Sequence, residues 1–141
     1  MKAIILAAGK GERLRPLTNN MPKCMVKLFD KTILENQIDT FHSCGITDII
    51  IVTGYCSESI RIPNIKYYKN ENFDSTNMIE SLFCAKSELD ENVIISYGDI
   101  IFEGKNLDLL INSKEDISVV IDKKWKEYWF TRMDDPIKDV E

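Results

Sequence analysis

The stretch Met1-Lys2-Ala3-Ile4-Ile5-Leu6-Ala7-Ala8-Gly9-Lys10-Gly11-Glu12-Arg13-Leu14 decides how the rest of the chain is read. Lys2 to Ala8 reads as a strand, and the unbroken apolar run from Ala3 to Ala8 means that it is buried on both faces. It leads straight into two glycines and two cations. Small residues and glycines let backbone N–H groups approach a phosphate chain closely, and Lys10 and Arg13 add positive charge, so the loop suits an anion. A dinucleotide-binding G-x-G-x-x-G would need a third glycine where Leu14 stands. A Walker A loop would need four residues between its glycines and then Lys-Ser/Thr. Neither fits. A structural turn is the competing reading, and a second basic cluster downstream favours the anion.

That cluster is Pro22-Lys23-Cys24-Met25-Val26-Lys27. Pro22 fixes its own φ and restrains Met21, which stiffens the approach to Lys23. Lysine is a compact charge suited to a phosphoryl oxygen on which negative charge builds, although any single lysine can equally be a solvated surface residue. Ser96-Tyr97-Gly98-Asp99-Ile100-Ile101 puts an acidic residue just past another apolar run. Asp99 there is either a turn former or a ligand for a hard cation such as Mg²⁺, which takes one or two carboxylates and completes its shell with water and phosphate.

Working outward, strand and helix signals alternate along the chain. Thr32 caps a helix running to about Cys44, with Glu35 completing a capping box, Ile33, Leu34, Ile38 and Phe41 on the apolar face, and Gly45 as the stop. Asp48 to Thr53 is a β-branched run followed by Gly54 and a short helical stretch near Ser57 to Arg61. Further expectations are a strand at Ile65 to Lys69, a helix from Asn77 to Glu88, a strand at Val93 to Tyr97, a helix at Leu107 to Ile111 and a strand at Ile117 to Ile121. Such alternation predicts an α/β fold, a mostly parallel sheet with helices on both faces, in which ligands bind beyond the carboxyl ends of the strands.

The 141 residues, 44% hydrophobic and 29% charged, describe one globular domain over residues 1–141. The net charge is −5, yet residues 1–27 carry +5 and the remainder −10. Net acidity argues against indiscriminate nucleic-acid binding, while the basic segment suits a small anion. Cys24, Cys44, Cys56 and Cys84 lie 20, 12 and 28 residues apart, and none forms a C-x-x-C or zinc spacing with His42, so all four are expected to be reduced thiols. The apolar run at the N-terminus is too short for a signal peptide, and no stretch approaches the roughly 20 residues of a membrane span. The expectation is a cytoplasmic protein that engages no membrane.

Leu6-Ala7-Ala8-Gly9 through Arg13-Leu14, then Pro22-Lys23, then Gly98-Asp99 together resemble the nucleotidylyltransferase superfamily, which joins a nucleoside triphosphate to a phosphorylated small molecule and releases pyrophosphate. The resemblance implies a three-layer, Rossmann-like fold of the nucleotide-diphospho-sugar transferase type. It implies that Leu6, Ala7, Ala8, Gly9, Lys10, Gly11, Glu12 and Arg13 wrap the triphosphate, that Arg13 and Lys23 hold phosphate oxygens, and that Asp99 binds the catalytic Mg²⁺. Gly54 and Gly98 fall in the same nucleotide site, and Gln37 and Asn77 are candidates for reading the base.

Within the superfamily the chain is similar to bacterial cytidylyltransferases acting on phosphocholine, phosphoethanolamine or aminophosphonates. The loop from Asn72 to Leu82 carries that likeness, with Thr76, Asn77 and Ser81 near nucleotide and acceptor. So does the segment Asp122 to Arg132, whose Asp122, Trp125 and Arg132 match a strand-end acid, an aromatic and a base of the acceptor pocket. Trp125 and Trp129 are four apart and in a helix would share a face with Tyr128. Such faces attract a substituted ammonium, though an aromatic stripe packing into a core reads equally well. The division implied is a nucleotide-binding part over 1–115 and a partial acceptor-binding part over 116–141. Relatives are longer, so the C-terminal part of the family fold, with a second acidic metal ligand, is expected to be missing.

The function expected from this is CMP transfer from CTP to a small phosphorylated or phosphonylated amine. The partners are CTP or another NTP and the acceptor, no nucleic acid, and a second copy in a homodimer. The alternatives are a sugar-1-phosphate nucleotidylyltransferase using UTP or dTTP, and a nucleotide-binding domain without catalysis. A flavodoxin-like or dehydrogenase-like protein shares the sheet but predicts flavin or NAD.

Overall fold

Strand β1 (Lys2–Ala7) holds Ala3, Ile4 and Ile5 with no exposed surface, which requires a neighbouring strand on each edge and a packed layer on each face. One neighbour is β4 (Ile49–Thr53), buried at every position, in parallel register with Ile4 opposite Ile50. The other is β6 (Val93–Tyr97), also parallel, with Leu6 opposite Tyr97. Beyond β4 lies β5 (Lys66–Lys69). The sheet order is therefore β5-β4-β1-β6, all parallel, the doubly wound arrangement expected. A separate antiparallel hairpin, β2 (Lys27–Leu28) and β3 (Lys31–Thr32), leads into α1 (Ile33–Ser43). The remaining helices are α2 (Met78–Cys84), α3 (Gly104–Ile111) and α4 (Trp125–Trp129).

The computed structural model describes residues 1–139; positions 140 and 141 of the expected domain lie outside them. The chain divides into two compact units, Met1–Leu107 and Asp108–Glu141. The core of the first is built from Ile4, Ile50, Val52 and Ala85, with Leu6, Tyr68, Leu82, Leu89 and Val93 packed against it. Each isoleucine fully withdrawn from water contributes about 1.5–3 kcal/mol before entropy is set against it. Alternate residues of the sheet face the other side, where Ser96 bonds to Gln37 on α1.

The capping box at Thr32 is present in full: Glu35 N–H donates to Thr32 Oγ1 at 3.1 Å, and Thr32 N–H donates to Glu35 Oε2 at 2.7 Å. Gly45, at φ 80°, ends the helix in the left-handed conformation that glycine adopts most cheaply. The expected helix over 77–88 is interrupted. It stops at Cys84 and resumes as a 3₁₀ turn, Lys86–Glu88. That break turns the Glu88 carboxylate under the sheet, where it accepts from Lys66, from Tyr68 OH at 2.6 Å and from Lys2 at 3.2 Å.

These donors hold the Glu88 carboxyl well below the ordinary range, at about 2, with the Lys66 contact the largest cause and burial opposing it. A carboxylate with a depressed folded pKa stabilises the fold above its unfolded pKa of about 4.3 and loses that contribution as the pH falls toward 2. Acid unfolding between pH 4.5 and 2 is therefore expected to be less steep in Glu88→Gln. Glu35 and Asp90, also lowered, keep some slope in the same window. Denaturant melts at pH 5, 4 and 3 check this, and an unchanged slope would show that Glu88 titrates alike in both states.

The strand expected at Ile117 to Ile121 does not form. β-branched residues favour a strand, but a strand exists only through a hydrogen-bonded neighbour, and this run has none among the described residues. Ile117, Val119 and Ile121 are 85%, 77% and 71% exposed. Asp122 is consequently not a strand-end residue. It accepts from Lys124 N–H at 2.8 Å, a local turn leading into α4.

Candidate functional site

The loops after β1, β4, β5 and β6 meet at the carboxyl end of the sheet. The first is seated by hydrogen bonds of its own: Leu14 N–H donates to Gly11 O at 2.9 Å, and the fully buried Thr18 donates its hydroxyl to the same carbonyl at 2.9 Å. Gly11 is left-handed at φ 63°, and a Cβ there would stand 2.8 Å from Lys23 Cβ. The turn thus brings the backbone of the first basic segment against the stem of the second. Arg13 is exposed on the turn Glu12–Leu14, two residues beyond that contact.

Lys23 begins a short 3₁₀ turn, Lys23–Met25, behind the extended Pro22. Its Nζ donates to Asp99 Oδ2 at 2.6 Å, with the lysine side chain 34% and the aspartate side chain 40% exposed. Residues 76 positions apart are joined at an opening rather than in the core. Gly98 makes this possible: its N–H donates to Leu6 O at 2.8 Å, and a Cβ would lie 2.9 Å from that oxygen. Cys24, next to Lys23, is no nucleophile, because burial pushes its thiol up to about 12. All four cysteines are free, as expected.

A second tie closes the other flank. Lys10 pairs with Asp74 at 2.5 Å, which raises the lysine pKa and links the glycine loop to the loop after β5. Below it, Tyr55 N–H donates to Ala8 O at 3.0 Å, and Tyr55 stacks edge-on with Phe73 at 6.2 Å. Gly54 lies between them. A Cβ there would stand 2.7 Å from both Ala8 O and Phe73 Cβ, so Gly54 is a packing glycine supporting the loop. Gly54→Ala is expected to cost about 1–3 kcal/mol, the usual range for overpacking a tight site. Urea unfolding measures it, and an unshifted midpoint would mean that the loop yields freely. Gly9 differs: a Cβ there meets no protein atom within 4 Å, so packing does not account for this glycine.

The remaining candidates divide. Asn77 caps α2, its Oδ1 accepting from Ile79 and Glu80 N–H at 2.9 and 3.1 Å. The buried Asn70 organises its neighbours, donating to Thr76 Oγ1 at 2.8 Å and Ser81 Oγ at 2.9 Å. Ser81 is itself buried and also donates to Asn77 O. Its hydroxyl holds the loop together, which replaces the expectation that it faces an acceptor. Gln37 is corrected as well. It is 1% exposed, and its amide is engaged with Tyr97 O at 2.8 Å, Ile100 O at 2.6 Å and Ser96 Oγ at 3.1 Å, so it does not read a base. Asn70 has no signal in the sequence, where a lone Asn before Glu71 carries no pattern.

In the second unit, α4 places Trp125 and Trp129 one turn apart. Arg132 sits 4.8 Å from the Trp129 ring and Tyr128 5.5 Å, so this ring already attracts a cation from its own chain.

The MobA-like NTP transferase domain matches residues 3–131 of this sequence. The chain belongs to that family. This NTP transferase domain is 40% identical, over its whole length, to CTP:phosphoglutamine cytidylyltransferase of Campylobacter jejuni, of which it covers 60%. It is 40% identical over 73% of its length to choline-phosphate cytidylyltransferase of Streptococcus pneumoniae, covering 47% of that protein. The NTP transferase domain thus spans about half to three-fifths of these relatives. A solved CTP:phosphocholine cytidylyltransferase from Streptococcus pneumoniae superposes with a TM-score of 0.67 at 37% identity, covering 74% of this chain and 49% of that one. A glucose-1-phosphate thymidylyltransferase structure from Bacillus anthracis, at 23% identity and a TM-score of 0.69 over 82% of this chain and 52% of that one, shares the fold. No helix among the described residues is long and apolar enough to cross a membrane.

Proposed function

We propose that this domain binds CTP and transfers CMP to a small phosphorylated or phosphonylated amine, releasing pyrophosphate, in an Mg²⁺-dependent reaction. The observation that carries the reading is the Lys23–Asp99 pair at 2.6 Å, held at the rim of the sheet beside the glycine loop. A cation for phosphate and a carboxylate for a metal stand together where a parallel sheet receives its ligands. The cytidylyltransferases among the relatives favour CTP as the donor.

An oxygen of the acceptor phosphate or phosphonate attacks the α-phosphorus of CTP, forming one P–O bond as the α–β bridge breaks and pyrophosphate departs with the electron pair. An ionised acceptor needs no general base, so the protein aligns and neutralises. The backbone near Gly9, together with Lys10 and Arg13, takes the triphosphate. Lys23 leaves its internal carboxylate for a phosphate oxygen.

No group of three His, Cys, Asp or Glu converges among the described residues, so a cage made wholly of protein does not fit. Mg²⁺ fits, because one or two carboxylates and substrate phosphates suffice for it, and Asp99 is the residue that would hold it. When bound, it supplies charge neutralisation at the phosphates. In the first unit Thr76 is the polar contact proposed for the acceptor; in the second unit Trp125 offers an aromatic face suited to an amine.

The test is pyrophosphate release by the full chain given CTP, UTP or dTTP with Mg²⁺ and, in turn, phosphocholine, phosphoethanolamine or glucose 1-phosphate. CTP with a phosphorylated amine is expected to give the highest rate. Preference for UTP or dTTP with the sugar phosphate would replace this reading by the sugar-nucleotide one. CTP binding by calorimetry with no turnover on any acceptor would leave a nucleotide-binding domain.

A further inference from the structure

Gln37 is a buried polar residue at the edge of the apolar stripe that Leu34, Ile38 and Phe41 form on α1. A hydrocarbon side chain would fill that place without a desolvation cost, so the amide must be offset by bonds it makes. Those bonds have one geometric feature in common. Nε2 donates to Tyr97 O and to Ile100 O, the carbonyls that bracket Gly98 and Asp99, while Ser96 Oγ donates to Oε1 and fixes which way the amide faces. From the opposite side, Gly98 N–H is tied to Leu6 O. The turn carrying Asp99 is therefore pinned at three backbone atoms, Tyr97 O, Gly98 N and Ile100 O, two of them by a single side chain on a helix whose N-terminus is locked by a capping box.

We propose that Gln37 is a positioning residue for the divalent-cation site: it holds the 97–100 turn so that the Asp99 carboxylate faces the opening beside Lys23. This rests on the nucleotidyl-transfer reading of Asp99. A residue that only fills the core would affect stability. One that aims a ligand carboxylate affects how much cation is needed, because the supporting bonds of a metal ligand are typically worth about 10–100-fold in metal affinity.

The experiment measures Mn²⁺ binding to the full chain by electron paramagnetic resonance with saturating CTP, alongside CTP binding by calorimetry without metal. Gln37→Met keeps the length and loses the amide. It is expected to weaken Mn²⁺ by about tenfold or more, to leave metal-free CTP affinity within about twofold, and to speed amide exchange at residues 98–101. Ser96→Ala, which removes the bond orienting the amide together with the hydroxyl's own bond to Tyr97 O at 3.2 Å, is expected to shift Mn²⁺ affinity less and in the same direction. Ile38→Val, a neighbouring core truncation, is expected to leave it unchanged. Unaltered Mn²⁺ affinity in Gln37→Met overturns the proposal while the functional reading stands, as does an equal loss in Ile38→Val. Should Gln37→Met not fold, Ser96→Ala decides, and an unchanged affinity there overturns the proposal. If the unmodified chain shows no CTP-dependent Mn²⁺ binding, the functional reading fails and the proposal with it.

Discussion

Lys23→Ala is expected to lower turnover at least tenfold, and by as much as about 10³, while the protein stays folded. The upper figure is what removing one preorganised donor from a developing charge costs in other enzymes. The structural side follows from exposure. Lys23 and Asp99 touch at 2.6 Å, but both are a third or more open to water, where an ion pair contributes about 0–1 kcal/mol. The melting temperature should therefore move by no more than about 4 °C. Lys23→Arg separates charge from shape. The lysine stem packs over Gly11, where a Cβ would come within 2.8 Å of it, so the wider guanidinium starts from the same stem and delivers its charge farther out. CTP affinity is expected to survive in the arginine variant while part of the turnover is lost. Steady-state pyrophosphate release and a thermal melt decide the matter, and unchanged turnover in Lys23→Ala removes Lys23 from the mechanism.

Much of the architecture was readable because its signals are local. The runs at Lys2 to Ala8 and Asp48 to Thr53 announce strands, which form at Lys2–Ala7 and Ile49–Thr53, and Thr32 with Glu35 spells out a helix start that formed as a complete capping box. The run at Ile117 to Ile121 carries the same composition and made no strand, since pairing is a property of two segments and only one of them is in the pattern. The place of Glu88 was hidden for a related reason: its partners Lys2, Lys66 and Tyr68 are residues that no window around position 88 contains.

The site divides along the same line. Gly11, Lys23, Gly98 and Asp99 could be named from their motifs, and the structure brings them together. For Gln37 the sequence itself carries the signal that overturns base reading. Positions 34, 37, 38 and 41 follow the spacing of a helix face turned to the core, and all four are buried. A polar residue on that face serves the interior first. Gly54 had no such signal, because the atoms that exclude its side chain belong to Ala8 and Phe73, far away in sequence.

Asp99→Asn is expected to abolish Mg²⁺-dependent turnover, and its binding behaviour should separate charge from packing. The amide has the shape of the carboxylate and retains a carbonyl oxygen for Lys23, so the turn between Tyr97 and Ile100 keeps its supports. What disappears is a negative charge beside the triphosphate site. Without metal, that charge repels the nucleotide, so CTP alone should bind the variant at least as tightly as the parent. With metal, the same carboxylate is the attraction that Mg²⁺ needs, so adding Mg²⁺ should strengthen CTP binding in the parent and no longer do so in the variant. A structural defect would weaken binding in both conditions, whereas the proposed role predicts opposite signs. Calorimetric CTP titrations with Mg²⁺ and with a chelator read both. Full Mg²⁺-dependent turnover in Asp99→Asn, or an undiminished gain in affinity from the metal, would assign the cation to other residues and leave Asp99 as the counter-ion of Lys23.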